Sequence, residues 1–308
     1  MQPCQIHYVT QGMQRAILSF VLLSLLSGTV AGQVRKHYQL TNQDGQEEVH
    51  FTLKASYGSC KISPTNNANP ISIYGVVNND DLEPDFQIKK QGATSHVAMT
   101  VSGQSQETLM SDLGLNFFGG RVEQPEDRWK VFLSQSKPFH LNLHYGIGDA
   151  NIDLSGIAVK NLNISTGSAD VRVGYHSGFY NKIEMDTFAV KVDLGNITVD
   201  HMEQARARNV IADVGFGNCT LDFGNGIKDG SNVTAYVGAG NLIVLLPKTE
   251  LPVKVVIQNS PLCHVQLTES FIKIADDTWV NHAYNAMADN ITTFTLDVAM
   301  GQILFKEK

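Results

Sequence analysis

At 308 residues and a formal net charge of −7, the chain is long enough to bury a large core or to form two domains. Its acidic balance argues against a phosphate-binding surface and therefore against nucleic acid as a partner. Four cysteines are present, Cys4, Cys60, Cys219 and Cys263, with no Cys-x-x-Cys or Cys/His zinc spacing.

Residues 1–32 contain one charge, Arg15, followed by the apolar run Ala16 to Leu26 and the small, polar stretch Ser27 to Gly32. A short basic start, a greasy segment and a small-residue cleavage region read as a secretory signal peptide, with an uncleaved anchor as the alternative. Met13 also serves as a possible start. No cysteine lies at the cleavage region, so lipidation there is not expected. The mature chain is read as exported, to the periplasm, the outer-membrane surface or the extracellular space, without a transmembrane span. It keeps three cysteines, an odd number unlike a disulfide framework.

Residues 33–135 form an N-terminal β region. Ile71 to Val77 and Val97 to Val101 read as strands, and the runs at Pro64 to Asn69 and Asn78 to Pro84 as loops. Ser111 to Phe118 breaks the alternation and suits a short helix or a loop. Ser134-Gln-Ser-Lys137 matches the serine–lysine motif of penicillin-recognising enzymes, but it sits between β-like segments without a Lys-Thr-Gly partner and reads as a surface loop.

Residues 136–308 carry a repeat: a small residue, any residue, a second small residue, then alternating apolar ones. Its copies start at Gly148, Gly167, Gly215, Gly238 and Ala299, and Phe51 to Ile62 is a weaker relative. Before each corner the apolar positions share one parity (Leu141, Leu143, Tyr145) and after it the other (Ala150, Ile152, Leu154). A straight strand would turn half of these residues outward, whereas a one-residue slip at the corner keeps both arms on one core. Glycine suits the bend through its dihedral freedom and small size. Each copy therefore predicts one coil of about twenty residues in an all-β, β-solenoid-like stack, with an ordinary antiparallel sandwich as the alternative. The corner gaps of 19, 48, 23 and 61 residues predict degenerate coils in the wider intervals, at Ile183 to Val199 and around Val253 to Ile257. Asp277 to Asp289 suits a short helix or a loop.

No residue is singled out as catalytic, cofactor-binding or metal-ligating. Nucleophile elbow, phosphate loop, dinucleotide fingerprint and His-Glu-x-x-His are all missing from the sequence. Asp149, Asp153, Asp170, Asp193, Asp213 and Asp222 raise a calcium question, but they lack β-roll spacing and read as a solvated face. Asn151, Asp170, Asn218, Asn241 and Gln302 follow the second small residue in each copy and predict a stacked amide ladder. The sequons at Asn163, Asn196, Asn218, Asn232 and Asn290 reflect strand alternation and carry no glycan assignment. Parity turns Cys60, Cys219 and Cys263 inward, as small buried hydrophobes.

The run Leu141 to Phe271, with YGIGDANIDLSGIAVKNLNIS, VGFGNCTLDF and VGAGNLIVLLP, resembles bacterial toast-rack and putative-adhesin envelope domains. These are related to the C-terminal domain of cell-wall-active antibiotic response regulators. The resemblance implies a short β-solenoid with no known catalytic centre, and a toast-rack part over Gln33 to Gln135. The regulators carry several N-terminal membrane helices that this chain lacks, so their sensing role does not transfer with the fold. The expected function is an exported, non-enzymatic envelope protein, a structural or adhesin-like module without cofactor whose partner is an envelope protein or a glycan. A stress-response accessory and a polysaccharide-acting β-helix enzyme are the alternatives.

Overall fold

The computed structural model describes residues 34–77, 84–102, 128–176, 178–225, 230–248, 251–258 and 264–308. The leader at 1–32, the Ser111 to Phe118 stretch, most of the Asn78 to Pro84 loop and Cys263 lie outside the described residues. Val34 to Lys308 clusters as one compact unit.

The N-terminal region supplies β1 (Val34–Leu40), β2 (Glu48–Thr65), β3 (Ile71–Val77), β4 (Asp85–Gln91), β5 (Thr94–Val101) and β6 (Arg128–Ser134). The repeat opens with the long β7 (Pro138–Asp153) and continues in pairs. These are β8 and β9 (Ala158–Thr166, Asp170–Gly174), β10 and β11 (Met185–Val192, Asn196–Asp200), and β12 and β13 (Ala207–Val214, Asn218–Asp222). Next come β14 and β15 (Ser231–Val237, Asn241–Leu246) and β16 and β17 (Val253–Gln258, His264–Gln266). The hairpin β18 and β19 (Phe271–Ala275, Thr278–Asn281) precedes the last pair, β20 and β21 (Thr292–Val298, Gln302–Glu307). The fold is all-β, and the one helical segment among the described residues is a 3₁₀ turn at Met202–Ala205. Asp277 to Asp289 holds β19 and turns.

Two parallel ladders run the length of the stack. The first arms align in the order β5, β2, β7, β8, β10, β12, β14, β20, β16. The second arms align as β6, the end of β2, the end of β7, β9, β11, β13, β15, β21, β17. Each coil gives one strand to each ladder, so the parity slip does mark a solenoid corner, and the repeat is not an antiparallel sandwich. Because β6 and β7 both pair with β2, the ladder crosses Gln135 without a break.

Coil order departs from chain order at both ends. The wide gap before Ala299 does hold the coil expected around Val253 to Ile257, β16–β17, but it is not intermediate in space: the C-terminal coil β20–β21 lies directly against β14–β15, and β16–β17 stacks outside it. Likewise β2 sits between β5–β6 and β7. Antiparallel strands then cover the end coils, β4 on β5, β3 on β6 with β1 beyond it, β19 on β16 with β18 beyond it. Such capping is how stacked repeats protect an otherwise open strand edge.

Inward residues line up in columns. One runs Cys60, Ala150, Val171, Ile197, Cys219, Leu242, Ile303, all buried. Cys60 and Cys219 are thus buried hydrophobes, as parity requires. The slot of Cys219 corresponds to Ala150 in β7, however, and not to Ile152.

Candidate functional site: the solenoid corner and its neighbours

In the six corners from β7 to β20–β21 the triplet's middle residue points out. The middle positions are Ile147, Ser168, Leu194, Phe216, Ala239 and Met300, kept in register by amides such as Phe216 N–H donating to the Asp193 carbonyl (2.8 Å) and Met300 N–H to that of Gly238 (2.8 Å). Phe216 is 72% exposed, Leu194 and Met300 65%, and Ile147 46%. Successive corners lie at strand spacing, about 4.8 Å apart, so these residues form an interrupted ridge: Leu194 and Phe216 are adjacent, Ser168 separates them from Ile147, and Ala239 separates them from Met300.

The two flanking positions differ in what they tolerate. The first is Gly146, Gly167, Asp193, Gly215, Gly238 or Ala299, so a side chain fits there in two coils, though at Gly146 a Cβ would run into the Ser56 carbonyl oxygen. The second is Gly148, Ala169, Gly195, Gly217, Gly240 or Gly301. A Cβ at Gly217 would run into the Gly195 carbonyl oxygen, and one at Gly240 into that of Gly217. Gly148 alone among these six has a left-handed backbone, with φ of 119°. Close approach of successive coils, more than dihedral freedom, selects glycine at this position.

Beside the ridge runs the predicted amide ladder, with a changed membership. Asn196 Nδ2 donates to Asp170 Oδ1 (2.5 Å), Asn218 to Asn196 (2.7 Å) and Asn241 to Asn218 (2.8 Å). Asn196 belongs in the column. Asn151 does not, because β7 pairs Asp149 with Asp170 and Asn151 with Arg172. The sequence register of the first copy is thus two residues late, since its corner is Gly146-Ile147-Gly148. From the other side Ser59 Oγ donates to Asp149 (3.1 Å), so the donors converge on two carboxylates that neighbour each other in the ladder. A chain of aligned amides ending on a carboxylate polarises each bond in turn.

Four of the other acids singled out by the sequence, or lying beside them, meet a basic side chain. At the end of the second arm, register places Asp153, Asp200 and Asp222 along one groove, closer together than their sequence spacing suggests. Asp153 meets His176 (3.1 Å), Asp200 meets Arg172 (3.5 Å), and Asp222 holds Lys308. Asp213 meets Lys191 (3.7 Å). The serine–lysine motif forms no catalytic pair. Ser134, buried at the end of β6, donates to the Asn67 carbonyl (2.9 Å), while Lys137 reaches the Gln46 carbonyl. Burial pushes the Cys60 and Cys219 thiols up to about 12.

A further group has no counterpart in the sequence reading. On the outer face of the first-arm ladder, His96, His50 and His140 lie side by side on β5, β2 and β7. Ring centroids are 4.7 Å apart for His50–His96 and 4.2 Å for His50–His140. Glu48, two residues before His50 and on the same face, reaches both His50 Nε2 (3.5 Å, from Oε1) and His140 Nε2 (3.4 Å, from Oε2). Burial and the neighbouring His50 hold the His140 ring below the usual histidine range. Glu48 lies below the usual carboxylate range: burial pushes it up, but the Thr94 hydroxyl and the His140 ring outweigh it. Among the described residues, Glu48, His50 and His140 are the group whose donor atoms converge closely enough to hold a metal ion. The sequence signal was faint: Glu-x-His on one strand and single histidines on two others, all of outward parity.

A family model, the N-terminal domain of toast_rack, DUF2154, matches residues 30–195. The chain belongs to the toast-rack family. The toast-rack match extends past Gln135, the limit implied by the sequence resemblance, and takes in β7 through β10 and the histidine group. No curated protein matches the chain. Among solved structures, a "putative cell adhesion protein" from Clostridium sporogenes is similar at 16% identity and a TM-score of 0.43, covering 90% of this chain and 100% of that one. A "putative adhesin" from Bacteroides fragilis is similar at 12% identity and a TM-score of 0.32, covering 89% and 97%. Among the described residues of this toast-rack protein, no helix is long and apolar enough to cross a membrane.

Proposed function

We propose that this toast-rack protein is an exported, non-enzymatic envelope protein, an adhesin-like interaction module whose stiff solenoid presents its corner to another envelope protein or a glycan. The observation that supports this reading is the ridge of Ile147, Leu194, Phe216 and Met300. Its members come from four different coils, yet the stack holds them on one line without any need for them to order on binding. Exposed apolar side chains aligned along one edge suit an interaction site, and a preformed backbone lowers the entropy lost on association. Asp200, Asp213 and Asp222 each meet an Arg or Lys, which suits surface solubility better than paired-carboxylate hydrolysis.

The test is binding of the purified mature protein to isolated cell envelopes of the source bacterium, split into sacculi and detergent-extracted membrane proteins. The triple variant Leu194→Ser, Phe216→Ser, Met300→Ser should retain the β-type circular dichroism of the wild type and lose most envelope binding. Equal binding by the folded variant, or none by the wild type, would remove the ridge as the interaction surface. Export is checked separately by sequencing the N-terminus of the envelope-borne protein, which should begin near Gly32 or Gln33; retention of Arg15 speaks for an anchor.

A further inference from the structure

We propose that Glu48, His50 and His140 form a binding site for one zinc-class divalent ion on the outer face of the first-arm ladder, bridging the coils of β2 and β7. The topology provides the placement. His50 and His140 are directly paired residues on neighbouring parallel strands, and both point outward. Glu48 precedes His50 by two residues, which returns its carboxylate to the same face.

The distances favour a shared ion over direct pairing. Separations of 3.5 Å and 3.4 Å between the ring nitrogens and the Glu48 oxygens exceed the 2.7–3.2 Å of a good N–H···O bond. The Oε2 to His140 Nε2 separation is close to the edge of a tetrahedron whose centre lies about 2.0–2.1 Å from each donor, roughly 3.3–3.4 Å; His50 faces the other oxygen, Oε1, so the carboxylate turns slightly to offer one oxygen to both rings or binds through both. All three donor atoms fall within 4.8 Å of one another. Both Nε2 atoms are also shielded from solvent and complete no hydrogen bond. Buried ring nitrogens left so, each aimed at a carboxylate slightly too far away, are what a missing central atom would satisfy.

The surroundings supply what a ligand set needs. The Thr94 hydroxyl donates to Glu48 Oε1 (3.0 Å) and fixes the carboxylate. Asn161 Nδ2 lies 3.0 Å from His140 Nδ1; ligation by Nε2 requires this amide to turn over, so that its oxygen accepts from Nδ1–H and the Nε2 lone pair is left for the ion. Stacking against His96 and His140 holds the His50 ring. Two imidazoles and one carboxylate select zinc and its neighbours, copper and nickel, over calcium or magnesium, which take oxygen ligands. Three protein ligands leave a fourth position for water.

Equilibrium dialysis of the purified mature protein against zinc, with bound metal counted by elemental mass spectrometry, tests the assignment. One ion per chain is expected, with calcium not taken up. Glu48→Gln and His140→Asn should each weaken zinc binding by at least about 100-fold. His144→Ala, on the same strand but outside the group, and Cys263→Ser should leave it unchanged. On the wild type, histidine-selective NMR should show the His50 and His140 ring signals moving on zinc addition while that of His176 stays put. Equal uptake by the folded Glu48→Gln and His140→Asn variants overturns the site. So does zinc binding that leaves the His50 and His140 rings unmoved, a result readable even if a variant fails to fold.

Discussion

Gly217→Ala and Gly238→Ala add the same methyl group at the two flanks of neighbouring corners and should behave oppositely. At Gly217 the new Cβ falls on the Gly195 carbonyl oxygen and lies 2.6 Å from Val192 Cγ1. The valine can rotate, but the carbonyl belongs to the backbone of the adjacent coil, so relief requires the two coils to separate locally. Overpacking of this type costs about 1–3 kcal/mol, and a rigid backbone partner places the substitution near ~3 kcal/mol on the same scale. At Gly238 the Cβ meets the Gly215 oxygen at 3.0 Å, and the equivalent position already holds Ala299 in one coil and Asp193 in another. A shift of a few tenths of an ångström suffices there, and loss of glycine freedom in the unfolded chain returns about 0.4–1 kcal/mol. Gly238→Ala should therefore stay within ~1 kcal/mol of the wild type. Calorimetric melting of the two variants reads the difference, expected at roughly 6–12 °C in Tm for Gly217→Ala, taking 2–4 °C per kcal/mol. If both alanines melt alike, close approach is not what selects glycine at the second flank.

Four further outcomes follow from the core and the ladder. Cys219→Val should change stability by less than ~1.5 kcal/mol as a volume-conserving swap, whereas Cys219→Asp buries an unpaired polar group and should leave little folded protein in the soluble fraction. In a Cys263→Ser background, a thiol reagent at pH 8 should label Cys60 and Cys219 only as fast as the protein unfolds; rapid labelling of native protein would place their strands at the surface. Because burial holds both thiols at about 12, the unfolded chain gives up these protons first as pH rises. The contribution to stability is thus present below the ordinary thiol value and is lost as pH climbs from there toward about 12, which urea titrations across alkaline pH should show. Asn218→Asp keeps the bond accepted from Asn241 but loses the donor to Asn196, and should cost about 1 kcal/mol in urea unfolding, near the value of one hydrogen bond. An unchanged midpoint would mean that the ladder contributes nothing.

The solenoid was legible because its cause is local. Parity slips such as Tyr145 to Ala150 are written in the chain, and so is the inward setting of Cys60 and Cys219. What escaped is non-local. The first copy was read two residues late because Gly146-Ile147-Gly148 and Gly148-Asp149-Ala150 are both small-x-small triplets, and only pairing of Asp149 with Asp170 separates them. Coil order escaped because β20 pairs with β14 across more than fifty residues. The histidine group escaped for the same reason: His50 and His140 become neighbours only when β2 and β7 stack.

That swapped order has a consequence for how the protein comes to be made. A ribosome delivers β16 to β19 before β20 and β21, so the outermost coil and its cap emerge ahead of the coil they rest upon. The stack therefore cannot grow coil by coil in the direction of synthesis, as a simple repeat array can. Until β20 and β21 arrive, β14 and β15 must wait with an open edge or pair provisionally with β16 and β17, a contact that has to be undone. The coil β20–β21 acts as a keystone, and its arrival sets the moment at which this end of the stack closes.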